Sequence, residues 1–560
     1  MNTLLFVVKS FITSHWGKLV VLLGCVTILL SNVDSTKTIM GLDNASPWFG
    51  MTYVYNLIEE AESFVEFGPI VFSPLLHIAY VFTAQASLIS QFVYWGNFFL
   101  GILGILYLFN RTIKLEHNLL SISGFILIIA HLSTIWMFSQ PTFLFTHAFA
   151  GIPWLIVLFL GRDRQNQFWL LPTILGLFSF LPTYLNPVAF TTYFICSLLL
   201  AYFLKQEMTI KNILRKGLIV GVALLLCIQV TMLLTGKATT VWHDLHTYTQ
   251  SQLENQENLL ASEGLRASEI EHNSFTNVMR FVTGWIELND LDSQSLFVHT
   301  ELYQKNIIFI VIQLAPIVFI IWWYYLKRRG TAKQRQLLTT FFITVVLCSS
   351  YFLIWIGRIP YLSDAWRWPT SKVWPLLTLP VWYLFLSAMR ELPAKVKTRA
   401  ILIFTLAASL LTFPWFSSLN NYRDRVDYFA ASEGIMSPYV SHTVPQEYLQ
   451  LQTLSKEDTI LALDKPQKGF YRYYPWGYYG TDFLSFLTKA TIIDGTRTNA
   501  VNQDYMQYLQ YPNSWKSATI THLLVNKNTE ALSQDLEILR QVYDVLLDNQ
   551  YFTLLKITYD

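Results

Sequence analysis

The chain has 560 residues, of which 53% are hydrophobic and only 14% are charged, and its net charge at neutral pH is +2. Soluble domains carry about 25% charged residues, so long stretches of this chain are expected to lie in lipid. A net charge this small excludes the strongly basic surface of a nucleic-acid-binding protein, and no nucleic acid is expected among the partners.

Eleven apolar runs without any Asp, Glu, Lys or Arg follow one another along the chain. Each is close to the ~20 residues that a helix needs to cross a hydrocarbon core of ~30 Å. The runs cover 19–33, 87–110, 118–138, 142–161, 168–186, 187–204, 217–236, 306–326, 337–357, 373–389 and 400–417. The sequence therefore predicts a polytopic α-helical membrane protein with about 11 transmembrane helices.

The charges between the runs alternate in sign along the chain. The loops 31–86, 236–305 and 358–372 hold 8 basic and 17 acidic residues, whereas the other set holds 19 basic and 4 acidic ones. Because Lys and Arg concentrate on the cytoplasmic side, the N-terminus is predicted inside and the C-terminus outside. A further span at 67–86 would invert this pattern, so that stretch is interpreted as an interfacial or re-entrant helix.

The first predicted outer loop contains Asp34, Asp43 and His77. Sugar transfer needs a base for the acceptor hydroxyl, or a carboxylate that holds a divalent metal on a phosphate leaving group. A carboxylate at the membrane edge suits either role. The alternative is that Asp43, in the turn-forming segment 43–47, caps a helix, and the residues alone favour the cap.

The second predicted outer loop, 236–305, is acidic but carries Arg280 within an amphipathic stretch, 273–285. This guanidinium could reach a phosphate group. A salt bridge to a neighbouring Glu is the alternative, and the residues alone favour it.

The third predicted outer loop holds Arg367 and Lys372 on the face where basic residues are scarce. Arg offers a planar fork to phosphate oxygens and Lys a point charge. The neighbouring Trp366 and Trp368 could line a sugar or an isoprenoid chain. The alternative is an interfacial belt of aromatic residues with snorkelling basic side chains, and the sequence leaves the two interpretations open.

The composition changes after residue 417, so 1–417 is predicted as the membrane domain and 418–560 as an extracytoplasmic soluble α/β domain. About 140 residues can bury a core of their own. Hydrophobic patterning predicts strands at 459–463 and 490–493, helices at 482–488 and 530–540, and a hairpin formed by 542–547 and 551–557.

Five short stretches of the membrane domain share the pattern of one known family. They are Gly41-Leu42-Asp43-Asn44-x-x-Pro47, Phe72-Ser73-Pro74-Leu75-Leu76, Asn186-Pro187, Asn277-Val278-Met279-Arg280 ahead of Gly284-Trp285, and Trp366-Arg367-Trp368-Pro369-x-x-Lys372-x-Trp374. Together they resemble the GT-C superfamily of polytopic membrane glycosyltransferases. The resemblance is to the bacterial branch with an outer C-terminal domain, which includes the large arabinofuranosyltransferases and the lipoteichoic-acid-glycosylating proteins.

The resemblance implies an enzyme of the cell membrane that takes a sugar from a polyprenyl-phosphate donor, with its active site at the outer face and Asp43 as the catalytic carboxylate. The acceptor would be a glycan, lipid or protein of the cell wall or surface. The donor phosphate would be bound by Arg367, Lys372 and Arg280. The substrate would be lined by Asp34, His77, Trp366 and Trp368. The first loop lacks an adjacent Asp-Asp or Asp-Glu pair, so a divalent metal, Mg²⁺ or Mn²⁺, is left open and no cofactor is assigned.

Two other classes of protein share this layout. A transporter or flippase of lipid-linked glycans would place charged residues or broken helices at the bilayer midplane, whereas the eleven runs here hold no formal charge. A non-catalytic membrane scaffold would use the tail to hold a surface polymer during its assembly. Both remain alternatives to the enzyme.

Overall fold

The structure is a computed structural model, and it describes somewhat less than three fifths of the chain. The described residues are 16–30, 38–39, 86–114, 118–139, 143–161, 170–185, 187–234, 270, 272–282, 305–356, 366, 368–409, 441–442, 444–455, 457–463, 472–473, 479–480, 484, 487–488, 490–494, 520–527 and 530–557. The predicted interfacial helix at 67–86 lies outside them, except for Ala86.

Helices occupy at least part of each of the eleven apolar runs, because a backbone in lipid has to satisfy its hydrogen bonds internally. In the runs they are α1 (Trp16–Leu30), α2 (Ala86–Ile113), α3 (Asn118–Ala130), α4 (Leu132–Ser139), α5 (Phe143–Leu160), α6 (Leu170–Phe180), α7 (Pro187–Leu204), α8 (Ile210–Leu234), α10 (Ile307–Ile321), α11 (Ala332–Cys348), α12 (Ser350–Ile356), α14 (Trp374–Glu391) and α15 (394–409). Two short helices lie in the predicted outer loops, α9 (Phe275–Arg280) and α13 (Pro369–Lys372).

Within the described residues, three helical segments are long and apolar enough to cross a membrane: Val93–Ile113, Ile210–Gln229 and Ile307–Leu326. The bent pair α11 and α12 would make a fourth crossing. Five further apolar helices are shorter. The membrane-type helices are therefore present, while the number of eleven crossings and their orientation stay predictions.

Helix α14 lies at the centre of the helical region. Every residue from Trp374 to Met389 is buried, and the helix contacts α2, α3, α7, α10 and α11. Helix α8 differs from α14 in its exposure, because Leu214, Leu218 and Leu225 are exposed along one face. A helix that is apolar all round and buried belongs to the interior, whereas an exposed apolar face suits contact with lipid.

Helix α5 packs closely against α2 because glycines lie between them. A Cβ atom at Gly104 would lie 2.7 Å from Nε1 of Trp154, closer than real Cβ contacts allow. The Trp154 indole is fully buried and donates to the carbonyl of Leu100 at 2.9 Å. Small residues that let helix backbones approach are typical of helix pairs in membranes.

A two-residue antiparallel pairing connects the beginning of the chain with its tail. Strand β1 (Thr38–Ile39) pairs with β2 (Ser441–His442), and β1 also contacts α2. Strand β1 lies in the first predicted outer loop and β2 near the start of the predicted outer domain. The pairing brings these two parts of the chain together.

The tail contains a mixed five-stranded sheet in the order β6-β3-β7-β9-β8. The strands are β3 (Thr459–Leu463), β6 (Thr491–Asp494), β7 (His522–Asn526), β8 (Asp544–Asp548) and β9 (Phe552–Lys556). Neighbours β6, β3 and β7 are parallel, and β9 pairs antiparallel with both β7 and β8. Outside this sheet are α16 (Gln446–Leu449), a 3₁₀ turn (Gln450–Thr453), α17 (Glu530–Val542) and the short pair β4 (Arg472–Tyr473) and β5 (Tyr479–Gly480).

The predicted strands at 459–463 and 490–493, the helix at 530–540 and the hairpin are confirmed by β3, β6, α17 and the β8–β9 pair. Strand β7 was not predicted, although it is the middle strand of the sheet. Side chains of β3 alternate between two cores, with Ile460 in one and Leu461 in the other. Most of the predicted helix at 482–488 lies outside the described residues.

Candidate functional site

The sequence-predicted site residues divide into two groups. Four of them, Asp34, Asp43, His77 and Arg367, lie outside the described residues. The other four are described: Arg280 at the end of α9, Trp366, Trp368 just before α13, and Lys372 at the end of α13.

A break between α11 and α12 is the feature on which the second and third predicted outer loops converge. Helix α11 ends at Cys348, α12 begins at Ser350, and the two helices are bent by 59°. The backbone amides of both Phe352 and Leu353 donate to the carbonyl of Ser349. A break of this kind interrupts the regular ladder of hydrogen bonds, and at membrane depth other protein groups have to satisfy the released carbonyls.

Side chains from both outer loops bind the carbonyls at this break. Nδ2 of Asn273 donates to the carbonyl of Cys348 at 3.2 Å, and the backbone amide of Ser350 donates to the Asn273 carbonyl at 2.8 Å. The indole Nε1 of Trp366 donates to the carbonyl of Leu347 at 3.0 Å. The segments that carry Arg280 and Trp366 are therefore anchored to two consecutive carbonyls of one helix end.

Arg280 is held deep in the helical region by α9. The helix begins after Ser274, whose hydroxyl accepts from the amide of Asn277, and it ends where Phe281 adopts a left-handed conformation with φ of 61°. Only 6% of Arg280 is exposed. Its guanidinium donates to Oδ1 of Asn277 at 2.8 Å and to Oε1 of Gln313 on α10 at 3.2 Å.

The charge on Arg280 persists in this environment. Burial lowers the pKa of its guanidinium, but an Arg side chain remains protonated at neutral pH. Two contacts of Arg280 go to the neutral amide oxygens of Asn277 and Gln313, and the salt bridge to a neighbouring Glu stays an alternative that the described residues do not test. The chain thus fixes a positive charge among helices, in a rigid fork that suits an anionic group.

An aromatic group continues the site from α9 towards α14. The ring of Phe281 lies 6.3 Å from that of His131, which in turn lies 5.4 Å edge-on from Trp382. Nδ1 of His131 shares a hydrogen bond of 2.8 Å with the hydroxyl of Ser133. These contacts connect the Arg280 segment with the central helix.

Lys372 and Trp368 belong to a turn that α7 supports. Trp368 has a left-handed conformation with φ of 53°, and its carbonyl accepts from the Ser371 hydroxyl at 2.7 Å. The hydroxyl of Tyr193 donates to the carbonyl of Ser371 at 3.0 Å. Lys372 is half-buried, while Trp366 and Trp368 pack against the main core.

Sequence reasoning missed Asn273, Gln313, His131 and Tyr193. The sequence indicates Asn273 and Gln313 only weakly. Asn273 is a polar residue at the edge of a helix pattern, and Gln313 is a polar residue inside an apolar one. Their roles depend on which helix end they reach, and no local pattern contains that information. In the part of the chain that the structure describes, no group of three His, Cys, Asp or Glu side chains could hold a metal ion.

Comparisons with known proteins give little. No family model matches the chain, and no curated protein matches it. Among solved structures, the chain is similar to a single-particle cryo-EM structure of the arabinofuranosyltransferase AftD from Mycobacteria, with 13% identity and a TM-score of 0.44. The match covers 92% of this chain and 35% of that one, so the chain spans about a third of the length of that protein. No property of that protein is transferred to this chain on a likeness of this size.

Proposed function

We propose that the chain is a multi-pass membrane glycosyltransferase of the GT-C type. It moves a sugar from a polyprenyl-phosphate donor to an acceptor of the cell wall or cell surface, on the extracytoplasmic face. One observation above all supports this: the segments that carry Arg280 and Trp366 meet at the break between α11 and α12. Two loops that are distant in sequence thereby share one anchoring point.

The meeting point suits a phosphate group of a lipid-linked donor. Arg280 would supply a guanidinium held by Asn277 and Gln313, and Lys372 and Arg367 would add charge from the loop that also carries Trp366. Because their segments are held by hydrogen bonds before any substrate arrives, little reorganisation is needed when charge develops on the departing phosphate. Trp366 and Trp368 would lie beside the donor, where aromatic surfaces suit a sugar or an isoprenoid.

Asp43 is the proposed catalytic carboxylate, and it accepts the proton of the acceptor hydroxyl as the sugar is transferred. Support comes from β1, which lies between Asp34 and Asp43 and contacts both α2 and the tail strand β2. Thr38 and Ile39 of the first loop are thereby held against the helical region. No step is assigned to a divalent metal, since the carboxylates of this loop lie outside the described residues.

The proposed orientation has the N-terminus in the cytoplasm and the tail outside. The charge pattern of the loops supports this orientation. The β1–β2 pairing supports only that the first loop and the tail share one side of the membrane, since segments on opposite sides could not pair. The tail would then stand over the site on the acceptor side.

The test is a transfer assay with the full-length chain in nanodiscs. A panel of polyprenyl-phosphate pentoses and hexoses is offered, and both donor binding and release of the polyprenyl phosphate are measured. We expect one donor to bind, and Arg280→Gln to reduce its affinity strongly. Arg280→Lys should restore it only in part, because the charge returns without the fork.

The matched control is Arg390→Gln, which removes an exposed guanidinium from the last turn of α14. A wild-type chain that binds no donor of the panel would overturn the proposal. Binding without release, combined with movement of the donor across a liposome bilayer, would assign the chain to the flippases instead.

A further inference from the structure

Three basic side chains from three helices meet at the C-terminal end of α5, which the charge pattern places on the cytoplasmic side. The first is Arg111, in the last turn of α2. Its guanidinium donates to the carbonyl of Val157 at 3.3 Å and also to the carbonyl of Gly161. Gly161, with φ of 93°, ends the helix in a left-handed conformation.

The other two are lysines on either side of the α7–α8 turn. Nζ of Lys205 donates to the carbonyl of Leu160 at 3.2 Å, and Nζ of Lys216 donates to the carbonyl of Phe159 at 2.6 Å. All the accepting carbonyls lie within 157–161, little more than one helical turn of about 5.4 Å rise. The three positive charges are therefore confined to a small region.

Lys333 shows what a lysine with a purely structural role looks like in this chain. Its ammonium donates to three carbonyls, those of Tyr202, Lys205 and Met208, at 3.0, 2.8 and 2.7 Å. All three of its N–H groups are thereby used. Lys205 and Lys216 each use one in the described structure, and Arg111 uses two of five, so this cluster keeps donors for a further acceptor.

The charge of the cluster exceeds what the helix end can offset. The end of a helix is equivalent to roughly −0.5 of an elementary charge, whereas the cluster carries three positive charges. Among the described residues, no carboxylate lies within salt-bridge distance of Arg111, Lys205 or Lys216. An anionic group bound here would relieve the mutual repulsion.

Exposed apolar side chains lie near the cluster, alongside exposed polar and basic ones. Ile210, Leu214 and Leu218 lie exposed on the first turns of α8, and Leu170 and Leu171 are exposed at the start of α6. Both helices begin at the same end of the bundle as the cluster. An anionic headgroup there would have apolar protein surface beside it for its acyl chains, which a free phosphate ion would not use.

We propose that Arg111, Lys205 and Lys216 form a binding site for the phosphate of an anionic phospholipid on the cytoplasmic face. Basic groups between helices on this side of a membrane are suited to such headgroups. The site lies at the opposite end of the helices from the proposed transfer site, and it does not depend on the proposed function. Its occupant would stabilise the junction of α2, α5, α7 and α8.

The test measures lipid binding to the full-length chain by native mass spectrometry, and its thermal unfolding in phosphatidylcholine nanodiscs titrated with phosphatidylglycerol. The variant is Lys205→Gln/Lys216→Gln, in which each amide can still donate to the helix end while both charges are lost. We expect its affinity for phosphatidylglycerol to fall about 30-fold, roughly five- to sixfold for each of the two charges that would contact the headgroup. Each chain is compared with its own behaviour in phosphatidylcholine alone.

The matched control is Lys395→Gln/Arg399→Gln, which removes two exposed charges from α15. It should leave lipid affinity within about twofold of the wild type. The proposal fails if both double variants lose affinity equally, if the Lys205/Lys216 variant binds as well as the wild type, or if inorganic phosphate alone reproduces the stabilisation. Should the double variant not fold, Arg111→Lys takes its place, with weaker lipid binding expected because the fork is lost.

Discussion

Asn273 satisfies both sides of the helix break at Cys348: its side chain donates to the Cys348 carbonyl at 3.2 Å, and its own carbonyl accepts from the amide of Ser350 at 2.8 Å. Seventy-five residues separate Asn273 from Cys348. Because Arg280 lies only seven residues after Asn273 on the same packed segment, the break also determines where that guanidinium lies.

Replacing Asn273 tests this anchor. Asn273→Ala removes the donor to the buried Cys348 carbonyl and should lower the free energy of unfolding by about 1–3 kcal/mol. Thermal or chemical unfolding of the full chain in detergent measures this. The control is Ser274→Ala, which removes an exposed helix cap and should cost about 1 kcal/mol or less. If Asn273→Ala is as stable as the wild type, the hydrogen bond does not anchor the segment.

Arg367 is expected to bind the donor phosphate. Arg367→Ala should weaken donor binding strongly, by about tenfold or more, since a charge-assisted hydrogen bond is worth roughly 1.5–3 kcal/mol. Arg367→Lys should recover part of the loss, because it restores the charge but not the fork. Equilibrium binding of a polyprenyl-phosphate sugar is the measurement, with Arg358→Ala as control in the same loop. Unchanged affinity in both Arg367 variants, at normal protein levels, would favour the alternative, in which Arg367 is a snorkelling side chain of an interfacial aromatic belt.

Asp43 is expected to act in turnover rather than in folding. Asp43→Asn keeps the size and the capping ability of the side chain but removes its basicity. The rate of transfer should fall on the order of 10²-fold or more, with little change in thermal stability. Asp34→Asn is the companion variant, and its loss should be smaller because Asp34 lies closer to the end of the first apolar run. Transfer at the wild-type rate by Asp43→Asn would show that Asp43 is only a cap.

The orientation of the chain is open to a direct test. A reporter that works only outside the cytoplasm, fused after Asp560, should be active, and a cytoplasmic reporter at the same place should be silent. The reason is the basic excess of 19 to 4 in one set of loops. The opposite result would mean one crossing more or fewer, and 67–86 would be the first segment to examine.

The β8–β9 hairpin should lose stability in acid. Burial alone would raise the pKa of the Asp548 carboxyl, but hydrogen bonds from Lys527 and Thr553, with the charges of Lys527 and Arg540, hold this pKa below its usual value. A lowered pKa in the folded state contributes stability above the unfolded pKa, and this contribution is lost as pH falls through the folded pKa. The protection factors of the hairpin amides in the full chain, which account for the slower intrinsic exchange in acid, should therefore fall as the pH is lowered.

In Asp548→Asn the hairpin should exchange faster than the wild type at neutral pH and respond less to acid. Asp544→Asn is the control, because Asp544 is exposed at the other end of β8. Equal acid sensitivity in the wild type and in Asp548→Asn would show that other groups govern it.

Hydrophobic patterning predicted much of the secondary structure. The absence of charge from each apolar run indicated where helices lie, and the alternation around Asp548 indicated the β8–β9 hairpin. Strand β7 escaped prediction, because a short strand buried on both faces resembles any apolar segment. The break at Ser349 also lies inside an apolar run, and no Pro or Gly adjoins it.

The sequence by itself determined the apolar helices, the charge alternation and the list of basic residues in the outer loops, since each of these follows from local composition. Only the tertiary structure decided that Asn273 and Trp366 bind neighbouring carbonyls of α11, that Gln313 holds Arg280, and that α14 is central. The physical reason is that a carbonyl released by a helix break accepts any donor that the fold brings within reach. Which donor arrives depends on how the helices pack, and contacts between residues so far apart in the chain leave no mark on either local sequence.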